Sequence, residues 1–235
     1  MTVIETKTRH SWQRQPDSVH PSPPPLEPGD RLTRAEFERR YAAMPHLKKA
    51  ELIEGVVYMP SPVRYDHGKP HAMILGWLAV YAAATPSVEF ADNATIRLDA
   101  ENEFQPDALL RVRTGDGGQS RISPDGYVEG APELIVEIAL SSASYDLHDK
   151  LPVYRRAGVR EYLVWQIQEQ QFDWFYLEEG KYVLLPADEQ GHIQSRVFPG
   201  LRLNAAALLS DDLAAVLQTA QDALRAGKDA PPDDH

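Results

Sequence analysis

The pattern of apolar and polar positions predicts alternating strands and helices from residue 31 onwards. Glu133–Leu140 and Glu161–Ile167 are short apolar runs with β-branched and aromatic residues, which is typical of buried strands. The segment between them, Tyr145–Ala157, predicts a helix that ends at Gly158. Further strands are predicted at Ala50–Tyr58 with a bend or turn at Gly55, Val88–Leu98, Glu103–Val112, Phe172–Leu177, Tyr182–Leu185 and Ile193–Phe198.

Four other segments predict helices. Thr33 and Glu36 have capping-box spacing at the start of a helix that runs to about Ala43. The others are Asp66–Ala84, Ala205–Leu209 and Asp211–Ala226. Thr114–Gly130 contains five glycines and predicts a surface loop. This order indicates an α/β or α+β fold, in which helices flank a mixed β-sheet and additional hairpin strands follow towards the C-terminus.

The composition of the two ends of the chain predicts that they are disordered. Met1–Gly29 contains six prolines and few apolar residues, so it cannot form a core. We therefore expect a disordered Pro-rich tail at 1–30, a single domain at 31–226 and a second disordered tail at 227–235. The helix predicted near the C-terminus carries an apolar stripe, which would either close the core or form a homodimer interface.

Composition and charge narrow the classes of function. The 235 residues contain no cysteine, which excludes disulfides and thiolate metal sites. They also contain no run of 18 apolar residues and no apolar signal segment, so we expect a cytoplasmic protein that does not bind membranes. The net charge of −11 argues against binding nucleic acid through a generally basic surface. It does not argue against a cleft of carboxylates that needs divalent cations before it accepts phosphate.

Four charged residues stand in settings that suggest catalysis. Glu137 is the lone acid within the apolar run that follows Pro132, and a buried acid needs a metal or an ionic partner. Asp107 follows Pro106 within another predicted strand, and Glu54 is spaced by two from Leu52 and Val56. Carboxylates of this kind hold Mg²⁺ or Mn²⁺ for phosphodiester hydrolysis, and Lys150 could position or deprotonate water, or stabilise developing charge.

The order of these motifs resembles the PD-(D/E)xK nuclease superfamily and, within it, the Uma2 family of proposed endonucleases. The resemblance covers roughly residues 31–210, through ELIEGVVYMPSP followed by His67, then Gln105-Pro106-Asp107, then APELIVEIALSSAS with Asp146 and Lys150, then YRRAGVREYLVW. It implies a restriction-endonuclease-like sheet, a DNA substrate, Mg²⁺ or Mn²⁺ held by Asp107 and Glu137, and support from Glu54.

The motif lysine stands elsewhere in this chain. The superfamily places it two residues after the glutamate, where this chain has Ala139, and the Uma2-like pattern implies that Lys150 on the next helix replaces it. Asp146 and Lys150 are spaced i,i+4 and should share a helix face. The resemblance also places His67 in the cleft, and Tyr154 lies one turn beyond Lys150, where it would line the cleft or pack in the core.

Two alternatives follow from the same residues. A catalytically silent binding or regulatory module would keep the nuclease scaffold, and the acidic composition is compatible with it. His67 and His71 have the HxxxH spacing of a zinc site, although no glutamate stands between them as in HExxH.

Overall fold

The structure is a computed structural model that describes residues 22–60, 64–140 and 142–229. The helices within these ranges are α1 (Arg34–Ala42), α2 (Tyr65–Ala84), α3 (Leu151–Ala157), α4 (Ala205–Leu209) and α5 (Leu213–Asp229). The strands are β1 (Glu51–Ile53), β2 (Val56–Tyr58), β3 (Val88–Asp92), β4 (Ile96–Arg97), β5 (Glu103–Phe104), β6 (Ala108–Val112), β7 (Arg121–Ile122), β8 (Val128–Glu129), β9 (Leu134–Ala139), β10 (Glu161–Gln166), β11 (Gln171–Glu178), β12 (Lys181–Leu184), β13 (His192–Gln194) and β14 (Arg202–Asn204). A turn of 3₁₀-helix spans Thr114–Asp116, and a π-helical turn spans Tyr145–Lys150 directly before α3.

The main sheet has the strand order β12-β11-β10-β9-β6-β3. Its two central strands, β9 and β10, run parallel, and its other neighbouring pairs are antiparallel. Every residue of β9 and β10 is buried, because both faces of the sheet are covered. Leu134, Val136 and Ile138 pack in the core with α2 and α5, whereas Ile135 and Ala139 face the core that contains Tyr154. Since side chains alternate along a strand, the intervening Glu137 faces α3.

A second, smaller sheet has the order β2-β1-β5-β4-β8-β7. Two predicted long strands are each divided between the two sheets: Val88–Leu98 forms β3 and β4, and Glu103–Val112 forms β5 and β6. The first division occurs at Asn93, whose φ is 49°, and the second at Gln105–Asp107. The chain therefore crosses between the sheets at these points, and Asp107 lies at one crossing.

The structure corrects several predicted boundaries. Thr114–Gly130 is not only loop, since β7 and β8 lie within it. The predicted strand at Ile193–Phe198 is shorter and earlier, and it pairs with β14, which the pattern did not predict. Ser61-Pro62, within the ELIEGVVYMPSP motif, lies outside the described residues.

An aromatic pair and an apolar helix stripe hold α2 and α5 against the main sheet. The indoles of Trp77 on α2 and Trp174 on β11 meet edge to face, with ring centroids 5.6 Å apart. The stripe of α5 packs on the same core, where Val216 and Ala220 are buried. The stripe thus closes the core of the monomer, which was one of its two predicted roles.

The described residues include a short part of each predicted tail. Residues 1–21 and 230–235 lie outside the described residues. Within the predicted tail at 1–30, however, Leu26 is buried, and its backbone N–H contacts the sulfur of Met44 at 3.1 Å. The N–H of Gly29 donates to the carbonyl of Val57 at 2.9 Å. At the other end, α5 continues to Asp229, beyond the predicted boundary at 226. Among the described helices, none is both long enough and apolar enough to cross a membrane.

The small sheet contains a buried acid of its own. Glu103 is almost fully buried, and its Oε2 lies 3.7 Å from Nε of Arg97. Burial and the adjacent carboxyl of Glu38 raise the pKa of Glu103 to about 8, against a smaller lowering by Arg97. Glu103 therefore holds its proton more tightly than an exposed glutamate does.

Candidate active site

The lysine of the helical segment reaches the glutamate of the central strand. Lys150 ends the π-helical turn that precedes α3, and its side chain points at the face of β9 that carries Glu137. Its Nζ donates to Oε1 of Glu137 at 2.8 Å, and both side chains are almost fully buried. The contact expected from the displaced lysine is therefore present, although Ala139 occupies the position two residues after the glutamate.

Two further carboxylates complete the surroundings of Lys150. Nζ lies 3.1 Å from Oε2 of Glu51 on β1 and 3.3 Å from Oδ1 of Asp146. Asp146 stands four residues before Lys150, and its other oxygen accepts a hydrogen bond from Ser142 Oγ at 2.7 Å. We refer to Glu51, Glu137, Asp146 and Lys150 as the carboxylate–lysine cluster. It joins β1 of the small sheet to β9 of the main sheet, so it depends on how the two sheets pack.

The cluster places three carboxyl groups around one amino group. Burial raises the pKa of Glu137 to about 8, and the neighbouring acids add to the rise although Lys150 opposes it. Burial raises the pKa of Asp146 as well, against the lowering by Lys150. For Lys150 burial works in the opposite direction, but the three carboxylates outweigh it and hold its pKa well above the usual value. Lys150 is therefore an ammonium ion, and Glu137 and Asp146 hold protons more tightly than exposed acids do.

Tyr154 closes the cluster on the side of α3. Its hydroxyl donates to Oε1 of Glu137 at 3.3 Å, and its ring packs against Phe104 and Tyr162 with centroids 4.8 Å and 5.0 Å away. Burial holds the pKa of the phenol well above its ordinary value, so the hydroxyl remains a donor. Tyr154 thus combines the two roles considered from the sequence, since it packs in the core and touches a site carboxylate.

Asp107 lies next to the cluster because β6 pairs with β9. Its Oδ2 accepts a hydrogen bond from the backbone N–H of Ile138 at 2.8 Å, one residue beyond Glu137. The same oxygen lies 3.2 Å from His67 Nε2, and Lys49 Nζ lies 3.9 Å from Oδ1. Burial alone would raise the pKa of Asp107, but the contacts with His67 and Lys49 outweigh it and lower the pKa to about 2. Asp107 is therefore ionised beside a glutamate that tends to hold a proton.

His67 and His71 both contact Asp107, one turn apart on α2. His71 Nε2 lies 2.7 Å from the backbone oxygen of Asp107 and 3.0 Å from Oδ1 of Asp92. His67 Nδ1 is buried, with no hydrogen-bond partner among the described residues. The described part of the chain contains no group of three His, Asp or Glu side chains that is arranged to hold a metal ion. The histidine pair is thus engaged with aspartates, and the zinc hypothesis gains no ligand set from the described residues.

Glu54 is not brought to the cluster. Glu54 and Gly55 form the turn between β1 and β2, with φ values of 49° and 75°, so Glu54 does not share a strand face with Leu52 and Val56 as expected. Its side chain is exposed and forms an ion pair with Arg156.

Sequence reasoning missed Glu51, whose side chain lies in the carboxylate–lysine cluster. Its Oε1 accepts a hydrogen bond from the backbone N–H of Gln105 at 2.8 Å, near Asp107. A signal for this was available, because a Glu-Gly dipeptide between two apolar segments is more typical of a hairpin turn than of a strand. The acid before the apolar pair Leu52-Ile53 is then the one carried by the sheet.

Fold and geometry together define the class of this protein. A mixed sheet that brings two acids and a lysine together beside a helix has the architecture of restriction-endonuclease-like nucleases. In agreement, the model of the Uma2 family, described as "Putative restriction endonuclease", matches residues 34–206. The chain belongs to the Uma2 family.

A solved structure supports the same fold. The crystal structure of a "putative nuclease belonging to DUF820" from Anabaena variabilis superposes with a TM-score of 0.57 at 13% sequence identity, and the match covers 76% of this chain and 97% of that chain. At this level of identity the likeness shows the fold alone. None of the curated proteins compared with the chain matches it.

Proposed function

We propose that this protein is a divalent-metal-dependent endonuclease that hydrolyses DNA phosphodiester bonds with an activated water. The observation that carries the proposal is the contact between Lys150 Nζ and Glu137 Oε1, one residue away from the backbone N–H that binds Asp107. The PD-(D/E)xK arrangement combines two acids from neighbouring strands with a lysine. Here Asp107 directly precedes β6, Glu137 lies on β9, and Lys150 contacts Glu137 from the helical segment instead of the strand.

The donor chemistry of the site fits Mg²⁺ or Mn²⁺. Asp107, Glu137 and Glu51 offer the hard carboxylate oxygens that these ions prefer. Burial is the main cause of the raised pKa of Glu137, and three neighbouring acids add to it. A divalent cation would neutralise the charge of these acids. A bound Mg²⁺ or Mn²⁺ would polarise the phosphate and lower the pKa of a bound water. Asp107 and Glu137 would hold the ion, with Glu51 in support.

The remaining residues orient these groups. Lys150 is a buried ammonium with three carboxylate partners, so it suits hydrogen bonding to water or to a phosphate oxygen better than proton abstraction. Tyr154 donates to Glu137 and fixes its carboxylate. His67 holds Asp107 from α2, where it would border the bound phosphate.

The test is plasmid cleavage with Mg²⁺ or Mn²⁺ by the wild type and by Asp107→Asn. The wild type should nick or linearise the plasmid, and Asp107→Asn should lose the activity because one ligand is gone. Glu54→Gln serves as the matched control, since it removes an acid that lies on an exposed turn. Undiminished cleavage by Asp107→Asn would show that this site does not carry the reaction.

A catalytically silent nuclease-fold module is the second candidate. Two observations support this candidate. Lys150 fills the space among three carboxylates, and the described residues contain no group of three side chains arranged to hold a metal ion. Calorimetric titration with Mn²⁺ separates the two candidates. Binding that disappears in Asp107→Asn supports the nuclease, whereas no heat at millimolar Mn²⁺ supports the silent module.

A further inference from the structure

A pair of tyrosines, Tyr58 and Tyr145, lies against the carboxylate–lysine cluster and is used by none of its contacts. The two rings meet edge to face with centroids 5.1 Å apart. Tyr58 is partly buried against the core beneath it, whereas 47% of Tyr145 is exposed. An anchored ring thus supports a second ring that presents much of its surface to solvent. We call these two residues the tyrosine ledge.

One cross-strand pair and one pair of sequence neighbours place the ledge beside the cluster. Tyr58 on β2 is the direct cross-strand partner of Glu51 on β1. Residues directly opposite in an antiparallel pair have Cβ atoms about 4.5–5.5 Å apart on the same face, so the Tyr58 ring starts next to the Glu51 carboxylate. Tyr145 immediately precedes Asp146, whose carboxylate lies 3.3 Å from Lys150 Nζ. The ledge therefore borders the cluster from both β1–β2 and the π-helical turn.

Charges of both signs lie near the ledge. Burial raises the pKa of Tyr58, the charges of Asp149 and Glu54 add to that rise, and Arg31 opposes it. The whole chain also carries a net charge of −11. Single strands and duplexes both carry phosphate charge, so an acidic chain gains little from phosphate neutralisation with either. Exposed aromatic rings add affinity for single strands, because they stack on unpaired bases, and such stacking does not depend on the base sequence.

A third tyrosine is exposed close to a residue that contacts Asp107. Tyr65 is 79% exposed at the start of α2, two residues before His67, which contacts Asp107. Exposed aromatic side chains thus occur along the chain beside Asp146 and beside His67. A base inside a duplex has both faces covered by its neighbours, so within a strand only an unpaired base can stack on such rings.

We propose that the tyrosine ledge is a base-stacking site, and that the preferred substrate is a nucleic acid strand with unpaired bases next to the cleaved phosphate. This inference rests on the proposed nuclease function and deepens it by naming the class of substrate. A base stacked on Tyr145 holds its strand, with the adjoining phosphate, next to the π-helical turn that carries Asp146 and Lys150. Tyr145 is a substrate-positioning residue in this scheme.

Fluorescence anisotropy with the full chain tests the stacking site directly. The probes are a labelled oligothymidylate, the matching oligouridylate and a labelled blunt duplex, with Ca²⁺ in place of Mg²⁺. The oligothymidylate should bind more tightly than the duplex. Tyr145→Leu should weaken single-strand binding by about 5- to 150-fold, which corresponds to 1–3 kcal/mol for one stacked base. Equal affinity of the wild type for single strand and duplex would overturn the inference. The oligouridylate shows whether the 2′-hydroxyl is tolerated.

Two variants separate stacking from folding. Tyr145→Phe keeps the ring, so its affinity should stay close to that of the wild type. Tyr127→Leu removes a tyrosine that is also partly exposed but covers the Arg97 guanidinium on the small sheet, and it should leave binding unchanged. The slope of affinity against salt should be the same in Tyr145→Leu and wild type, because no phosphate contact is lost. If Tyr145→Phe binds as poorly as Tyr145→Leu, or if Tyr127→Leu is equally weak, the ring does not stack on a base.

Cleavage assays distinguish a failure of this inference from a failure of the proposed chemistry. Cleavage of duplex plasmid with no loss of oligothymidylate binding in Tyr145→Leu would remove the stacking site and leave the nuclease standing. Single-strand binding that depends on Tyr145, without cleavage of any strand in Mg²⁺ or Mn²⁺, would keep the stacking site and remove the nuclease chemistry.

Discussion

The buried ammonium of Lys150 should be essential for the stability of the metal-free protein. The substitution Lys150→Met keeps an unbranched side chain of similar length and removes the charge. It leaves Glu51, Glu137 and Asp146 buried with no cation among them. Breaking a buried ion pair by removing one partner costs about 3–5 kcal/mol, because the remaining charge is left uncompensated. For a domain of this size, each kcal/mol lowers Tm by about 2–4 °C, so we expect a fall of roughly 6–20 °C.

The pH dependence of this loss has a definite sign. The Lys150 pKa is raised in the folded state, so its stabilisation is present below the ordinary lysine pKa of 10.5 and is lost only above it. In Lys150→Met, Glu137 and Asp146 lose the partner that lowered their pKa values, so the folded protein holds protons that the unfolded chain releases. The variant should therefore lose stability as pH rises above the ordinary glutamate pKa of 4.5. Its deficit should be larger at about pH 8 than at about pH 5.

Thermal unfolding followed by circular dichroism in EDTA measures the effect. Lys69→Met is the matched control, because Lys69 forms a 2.8 Å ion pair with Asp211 in which both side chains are largely exposed. Such surface pairs contribute about 0–1 kcal/mol, so this control should melt close to the wild type. Adding Glu137→Gln to Lys150→Met should restore part of the stability by removing one of the stranded charges. A Lys150→Met protein that melts with the wild type at about pH 8 would refute the reasoning.

Three further expectations follow from individual contacts. In plasmid cleavage with Mg²⁺, Glu51→Gln should lose at least about tenfold in rate and Glu54→Gln should lose little, and the reverse order would return the supporting role to Glu54. Glu103 has its pKa raised to about 8 from 4.5, so stability should fall as pH rises between these values, and Glu103→Gln should flatten that slope in urea unfolding. Gly118→Ala should destabilise by about 1–3 kcal/mol in the same assay, because its Cβ would lie 1.9 Å from a backbone oxygen, whereas Gly115→Ala meets nothing within 4 Å.

Much of the fold could be predicted from local patterns. The strand pair β9 and β10 and the helix between them follow from apolar runs separated by polar segments, and the end of α3 follows from Gly158, whose φ is 85°. The short strands were harder, because two-residue strands such as β4, β5, β7 and β8 are too short to show a period. Breaks between sheets also carry little local signal, so the division at Asn93 was not foreseen.

The site was predicted less completely than the fold. Asp107, Glu137 and Lys150 were chosen from the sequence, and the structure brings them to one place. Glu54 was proposed because spacing by two from Leu52 and Val56 suggested one strand face, and Glu51 was not considered; the chain turns at Glu54, so that face ends there. Tyr58 and Tyr145 had no signal as a pair, since 87 positions separate their numbers and only the packing of β2 against the π-helical turn joins them.

The sequence by itself determined the apolar strand that carries Glu137, the helix that carries Lys150 and the family to which both belong. These features are local, because periodicity and motif order are properties of neighbouring residues. Only the tertiary structure decided which acid faces Lys150, since Glu51 lies 99 positions away and reaches it through the crossing of two sheets. It also decided the charge balance of the site, because a pKa depends on burial and on neighbours brought together by folding.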